Sequence, residues 1–416
     1  MTDTPTPTPP TGRGALQRRE ARLAWGLLLP TVISVSLVVI LPLLAIFWIS
    51  FKPVRLADLR PTAPIVRESL RGSGDNLRIE YRVRNSSQDK TVADVVLTDT
   101  LPPQVQLIGP PPEPCTLDGR ALRCVFGDIP GGFNERIRLP VTLATGVDED
   151  GAEEAVEGGA PVITGTGDSI LTNAEFTLEN FARVFDGDEF LEVLWVTLFY
   201  TVFGTLGALL FGLFAAMLLN KSFKGQGILR GLYLFPYVAP VIAVAFTWVT
   251  LFDPFSGSAN ALLIQMGVTD EAINFFGQRP LALIMVTVFE IWRYFPLSFL
   301  FILARMQSID TDMYEAADMD GASPFQKFWY LSLPMLVGIL SVLFLLRFIW
   351  TFNKFDDIFL LTGGNAGTRT LTVNVYEQAF AVSNIGAGAA VAVVIFGCLL
   401  LFSVLFFRFI SREEGL

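Results

Sequence analysis

Histidine is missing from all 416 residues. Its absence removes imidazole acid–base, metal and nucleophile chemistry from the chain. Charge is scarce as well: 17% of residues are Asp, Glu, Lys or Arg, against about 25% in ordinary soluble domains. The formal net charge is −10, so no strong basic field exists to draw nucleic acid. Nowhere does Gly-x-x-x-x-Gly-Lys-Ser/Thr occur, so the chain cannot supply a phosphate-loop ATP site. What it has in excess is apolar: 52% of residues are hydrophobic and 36 are Phe.

These apolar residues come in blocks. A spanning helix needs about 20 of them, because lipid cannot satisfy exposed backbone groups. Six segments qualify: Ala24–Ile49, Phe190–Leu219, Leu229–Phe252, Leu281–Leu303, Leu333–Trp350 and Ile385–Phe407. The first is too long for a signal-peptide core and lacks a small-residue cleavage site, so it reads as an uncleaved anchor. The fold class expected is an all-α polytopic membrane protein with an inserted extracytoplasmic β-rich domain. Glycines 204, 207 and 212 lie in the second apolar segment, where they permit close helix packing.

Short-loop charge sets the orientation. Arg13, Arg18, Arg19, Arg22, Lys221, Lys224, Arg230, Arg305, Lys327, Arg408 and Arg412 fall on one side, and only Arg279, Lys354 and Arg369 on the other. Both termini (1–23 and 411–416) are therefore expected in the cytoplasm, residues 24–52 as the first transmembrane helix, and the insert 53–175 outside. That insert carries 12 Lys/Arg against 19 Asp/Glu. Leu77–Arg84 alternates apolar and charged residues as a half-buried strand does. Val92–Thr98, Val105–Ile108 and Ile137–Leu143 are further strand candidates, and a small sandwich is expected. Ala144–Gly167, rich in Gly, Glu and Asp, reads as a flexible return linker. In an oxidising compartment Cys115 and Cys124 would form a disulfide, with a two-ligand metal site as the weaker alternative. Cys398 falls within the last span, as core packing. The insert is either a recognition module or a spacer.

Between the fourth and fifth spans, Asp310–Pro334 holds two readable helix starts. Asp312 with Glu315 at N3 resembles a capping box, and Gly321 supplies a C′ residue tolerant of positive φ. Ser323 caps a second helix, with Pro324 at N1 and Gln326 at N3. Ala316 and Ala317 leave a shallow surface, and Met313, Tyr314, Phe325 and Phe328 offer apolar contacts. From the residues alone this is either an interfacial elbow or a docking knob for a separate motor.

Here the chain resembles the inner-membrane permeases of binding-protein-dependent ABC importers, in the carbohydrate branch that includes the larger maltose permease subunit and the glycerol-3-phosphate permease. Glu315-Ala316-Ala317, Asp320-Gly321-Ala322, Phe328 and Leu333-Pro334 carry the likeness, with Gly338 where family members often have a second proline. Further stretches extend it: Phe176–Asn180, Trp195–Thr197, Arg230–Pro236, Trp248, Asn353–Asp356, Leu361–Gly364 and Ala379-Phe380. The likeness covers Ala24–Lys52 loosely and Phe176–Arg412 well, while the insert is more similar to secreted β-sandwich repeats. The resemblance implies a core permease domain at 176–410 whose coupling loop, 305–332, docks a partner ATPase. It implies a second permease subunit, two ATPase subunits that use ATP and Mg, an extracytoplasmic solute-binding protein, and an oligosaccharide or disaccharide as substrate. The chain itself binds no cofactor or metal on this reading and is no enzyme.

Intramembrane charge completes the candidates. Glu290 and Arg293, three apart on one helix face, read either as a structural ion pair or as lining of the solute path. Arg347 lies in the fifth span. Tyr294, Trp350 and Asn353 combine aromatic faces with polar groups suited to sugars, although aromatic residues also belong at membrane interfaces. An ion-coupled carrier and a membrane-anchored scaffold acting through the insert are the rival functions. A membrane hydrolase ranks below both.

Overall fold

The computed structural model describes residues 15–59, 62–185 and 189–410. Arg13, Arg412 and the segment 411–416 lie outside them, as does the side chain of Arg18. The described chain divides into a unit holding the spanning helices and a β-rich unit built from Lys52–Arg183 with Val375–Gly388.

In the helical unit, among the described residues, five helices are long and apolar enough to cross a bilayer. They are α1 (Arg19–Ser50), α2 (Glu189–Leu219), α5 (Leu281–Gln307), α7 (Pro324–Phe352) and α9 (Ile385–Phe409); a bent pair, α3 (Gln226–Val238) and α4 (Val241–Leu251), is either a broken sixth span or a re-entrant loop. Shorter helices α6 (Thr311–Met319) and α8 (Asp356–Thr362) flank α7. Leu229–Phe252, expected as one span, is broken by 89°. The cause is Pro240: it offers no N–H to continue the ladder and pushes Ala239 into extended backbone, ψ 142°. At the start of α7, residues Phe328–Ser332 form a π-turn just before Pro334, whose ring and missing N–H oppose a regular turn.

Helices α2 and α5 pack closely because α2 is glycine-lined. A Cβ on Gly212 would lie 2.6 Å from Ser298 Cβ and 2.8 Å from the Phe299 nitrogen, and one on Gly204 would meet Glu290 Cγ at 2.9 Å. Small residues let helix backbones approach this way in membranes. Leu209, Ala216, Phe299, Ile302, Leu336 and Leu343 form the core that results.

In the β-rich unit, two antiparallel four-stranded sheets face each other, with orders β1-β2-β7-β4 and β5-β6-β3-β8. The strands are β1 (Pro64–Arg71), β2 (Arg78–Asn85), β3 (Val92–Thr100), β4 (Val105–Leu107), β5 (Cys115–Asp118), β6 (Ala121–Ile129), β7 (Asn134–Leu143) and β8 (Val162–Gly167). Ile79, Tyr81, Val83, Leu97, Leu122 and Leu139 fill the space between the sheets. Cys115 and Cys124 stand opposite each other in the β5–β6 register and are bonded. The stretch Ala144–Gly167 is not a structureless linker. Asp148 caps a helix, Glu149–Glu157, by accepting from the Gly151 N–H. Ala152 and Val156, four apart, bury fully against the sandwich core, and β8 then pairs with β3. Acidic composition hid an amphipathic helix whose apolar stripe is only two residues long.

Candidate functional site

Two places in the helical unit gather the residues singled out above. The first is a buried polar cluster where α2, α5 and α7 meet. Glu290 on α5 is fully buried. One of its carboxylate oxygens accepts from Arg347 Nη2 at 2.6 Å and from the Thr351 hydroxyl at 2.9 Å. The other accepts from the Tyr200 hydroxyl at 3.0 Å. A carboxylate in so apolar a setting needs donors as well as a counter-charge, and it has three donors, one of them the Arg347 cation.

The ion pair expected between Glu290 and Arg293 is replaced by one between Glu290 and Arg347. Arg293 instead donates from Nη1 to the Pro236 carbonyl and from Nη2 to the Ala239 carbonyl, both at 3.1 Å. Those carbonyls border the break between α3 and α4. A bent span is tolerated in lipid only where a neighbour satisfies the freed backbone groups, and Arg293 is that neighbour. The two side chains leave one helix toward different partners.

A cavity of about 120 Å³ opens beside this cluster, lined by Tyr237, Glu290, Tyr294, Arg347, Trp350 and Lys354 among others. Tyr294 stands between cations: Arg347 lies 4.6 Å and Lys354 4.2 Å from its ring centre, and the Lys354 ammonium also donates to its hydroxyl. Lys354 approaches Asp356 at 3.6 Å and the buried Asp357 at 3.8 Å. Of the three sugar-path candidates, Tyr294 and Trp350 line this cavity. Asn353 does not; its amide bonds back to the Ile349 carbonyl at 2.9 Å. Sequence reasoning missed Thr351 and Lys354 here. Arg347, Thr351 and Lys354 are spaced four and three apart, the stripe of one helix face, and that spacing was the available signal.

The second place is the Asp310–Pro334 loop. Its first helix, α6, is capped by Asp310, whose carboxylate accepts from the Asp312 N–H at 3.1 Å. Asp312 therefore sits inside the helix and is not its cap. The end is a Schellman turn: Gly321, at φ +78°, donates to Asp318, and Ala322 donates to Ala317 at 2.9 Å. Ser323 and Gln326 then form a reciprocal capping box at the start of α7, a device that stabilises a helix start by about 1 kcal/mol. Tyr314 reaches the Ser332 hydroxyl at 2.9 Å, and Lys327 reaches Asp318 at 2.5 Å. Self-braced in this way, the loop leaves large apolar side chains outside: Met319 is 88% exposed, Tyr330 78% and Phe325 70%. Glu315, Ala316, Asp320 and Gly321 are exposed beside them, with Ala317 and Ala322 half-buried.

Comparison with known proteins places this geometry. Residues 208–413 match the family described as binding-protein-dependent transport system inner membrane component, and the strands β1 to β8 lie outside that match. The chain is 35% identical over 229 residues to the inner membrane ABC transporter permease protein YcjO of Escherichia coli K12, covering 55% of this chain and 76% of the relative. It is 32% identical over 232 residues to the trehalose/maltose transport system permease protein MalF of Thermococcus litoralis, covering 56% and 78%. Its fold is similar to a crystal structure of a bacterial ABC transporter involved in the import of the acidic polysaccharide alginate, with TM-score 0.54 at 21% identity over 58% of this chain and 85% of that one. A multi-pass helical chain with this likeness is a non-catalytic, inner-membrane transport subunit of bacterial or archaeal type. The chain belongs to the permease family of binding-protein-dependent ABC importers.

Proposed function

We propose that this chain is one of two permease subunits in an ATP-driven sugar importer, with an oligosaccharide or disaccharide as cargo. Two ATPase subunits, using ATP and Mg, drive it, and an extracytoplasmic solute-binding protein loads it. The observation that carries this reading is the self-capped helix–Gly–helix knob around Glu315-Ala316-Ala317 and Asp320-Gly321-Ala322. Its ends are closed by its own hydrogen bonds, so it needs no partner to fold, yet it exposes Met319, Phe325 and Tyr330. A rigid apolar knob is what a motor subunit's cleft can push against. The loop joins the ends of α5 and α7, the helices that carry Glu290 and Arg347, so a push on the knob acts on the polar cluster.

Sugar as cargo is supported by the trehalose/maltose relative and by Tyr294 and Trp350 on the cavity wall. At about 120 Å³ that cavity is well below the roughly 300 Å³ where ligand pockets begin. The spans must therefore move apart for a sugar to pass, which is what alternation between two global states supplies. Residues 53–175 form an external insert on this reading, and 176–410 form the core with its docking loop at 305–332.

The test is reconstitution in vesicles with the second permease, the ATPase subunits and the binding protein. Uptake of a disaccharide should require ATP. Replacing Gly321→Trp with Glu315→Arg should lower both co-purification of the ATPase and uptake by at least about tenfold. ATP-independent uptake, or full coupling in the double variant, defeats the proposal.

A further inference from the structure

Although the insert carries more acid than base, the charged residues on one of its faces are arginine with a single exception. Strand β2 alternates, burying Ile79, Tyr81 and Val83 and turning Arg78, Glu80, Arg82 and Arg84 outward. Register fixes their neighbours. Arg82 lies between Arg67 on β1 and Arg136 on β7, Arg78 is opposite Arg71, and Glu80 is opposite Arg138. Seven arginines thus share the outer face of one sheet with a single carboxylate and no lysine. Glu80 serves only Arg136 and Arg138, at 3.4 and 3.5 Å. Among the described residues, no carboxylate lies within ion-pair reach of Arg67, Arg71, Arg78, Arg82 or Arg84.

Like charges directly opposite one another weaken a sheet, and here three stand in a row across adjacent strands. The fold draws little from that row beyond a hydrogen bond from Arg82 Nε to Asn134 Oδ1 at 3.0 Å and the Arg136–Glu80 pair, both at the surface, and a local rule broken with so little compensation points to function. Adjacent strands lie about 4.8 Å apart, so Arg67, Arg82 and Arg136 form a cation ladder of fixed pitch. The second rung pair, Arg71 with Arg78, lies about 13 Å further along the strands.

We infer that this face binds a linear acidic polysaccharide through its carboxylates. Arginine used to the exclusion of lysine favours planar, bidentate carboxylate partners. A fixed pitch serves a ligand whose anions are also held at a repeat, whereas mobile anionic lipids would accept cations at any spacing. A folded protein partner would need aromatic or large apolar anchors at the centre of its site, and the outward positions of β1, β2 and β7 offer only Ile65 and Pro140 beyond polar and charged residues. A neutral glycan has no use for seven guanidinium groups.

The experiment uses the full-length protein in nanodiscs of uncharged lipid, with polygalacturonate as probe, neutral dextran as control, and phosphatidylglycerol vesicles as the competing surface. Polygalacturonate should be retained at low salt, dextran should not, and retention should fall steeply toward 0.5 M salt as the screening length shrinks to about 4 Å. The triple variant Arg67→Ala/Arg82→Ala/Arg136→Ala should weaken retention at least about tenfold. It should stay folded and melt close to the parent, since relief of the repulsive row offsets the loss of the exposed Arg82–Asn134 and Arg136–Glu80 contacts. The proposal fails if polygalacturonate is not retained, if the triple variant retains it equally, if that variant loses retention only because it no longer folds, or if phosphatidylglycerol vesicles bind as tightly through the same arginines.

Discussion

At the scale of single residues, the buried Glu290–Arg347 pair makes an asymmetric prediction. Arg347→Met leaves Glu290 fully buried with its hydroxyl donors but without the cation that bonds it, and breaking a buried pair on one side costs about 3–5 kcal/mol. Glu290→Gln added to Arg347→Met removes the stranded charge and should recover most of that loss. Thermal unfolding of the purified chain in detergent measures both; equal losses would mean the pairing is not what matters at this site. Gly212 makes a second prediction. A Cβ there would sit 2.8 Å from the Phe299 backbone nitrogen, an atom that cannot swing aside. Gly212→Val should force α2 and α5 apart and cost at least the 1–3 kcal/mol typical of overpacking, read as a lower melting temperature. Gly227, with open space around its Cβ position, should tolerate alanine.

At the scale of elements, β1, β2 and β3 are tied by one buried hydroxyl. Tyr81 donates to Glu68 at 2.9 Å and lies against Asp99 as well. Burial, and then the charge of Asp99, push the Glu68 carboxyl up from its ordinary 4.5 to about 7, and burial raises the Tyr81 hydroxyl too. Between pH 4.5 and about 7 the folded unit holds a proton on Glu68 that the unfolded chain has released. By linkage, stability is greatest below pH 4.5, declines as pH rises through that window, and stays low above it. After allowance for the partial exposure of Glu68, the change amounts to about 1–2 kcal/mol. Glu68→Gln should flatten this part of the pH–stability curve; an unchanged slope would place the proton elsewhere.

The same elements show what the sequence discloses. Lipid demands about 20 apolar residues in a row, so the five unbroken spans could be read, with ends off by several residues, and the sixth expected span is the bent α3–α4 pair. Strands β2, β3, β4 and β7 could be read from alternation. Strand β1 could not, because Glu68 occupies an inward position, and neither could β8, where glycines dilute the pattern. The bend at Pro240 could be suspected, but its rescue by Arg293 could not, since the carbonyls involved lie 54 and 57 residues away. The Glu290–Arg347 pair was hidden for the same reason: helix periodicity names neighbours at three and four positions, never at 57.

For the whole molecule, the consequential expectation is orientation, because it decides which surfaces meet ATPase subunits and which meet solute. Eleven short-loop cations against three predict that the Asp310–Pro334 knob and both ends are cytoplasmic and that the β-strands lie outside. Cysteine labelling reads this directly. Cys115 and Cys124 are bonded, and Cys398→Ser removes the remaining thiol of α9. In that background, Gln88→Cys places an exposed thiol in the β-rich unit and Asp320→Cys places one on the knob. A membrane-impermeant maleimide applied to intact spheroplasts should modify Gln88→Cys and leave Asp320→Cys untouched until the membrane is opened. The reverse pattern would put the knob where no ATPase could reach it and the arginine face where no external polymer could. Labelling of both from outside would mean that the bend between α3 and α4 returns the chain to the side it left, making that pair a re-entrant loop and the number of crossings between the two thiols even.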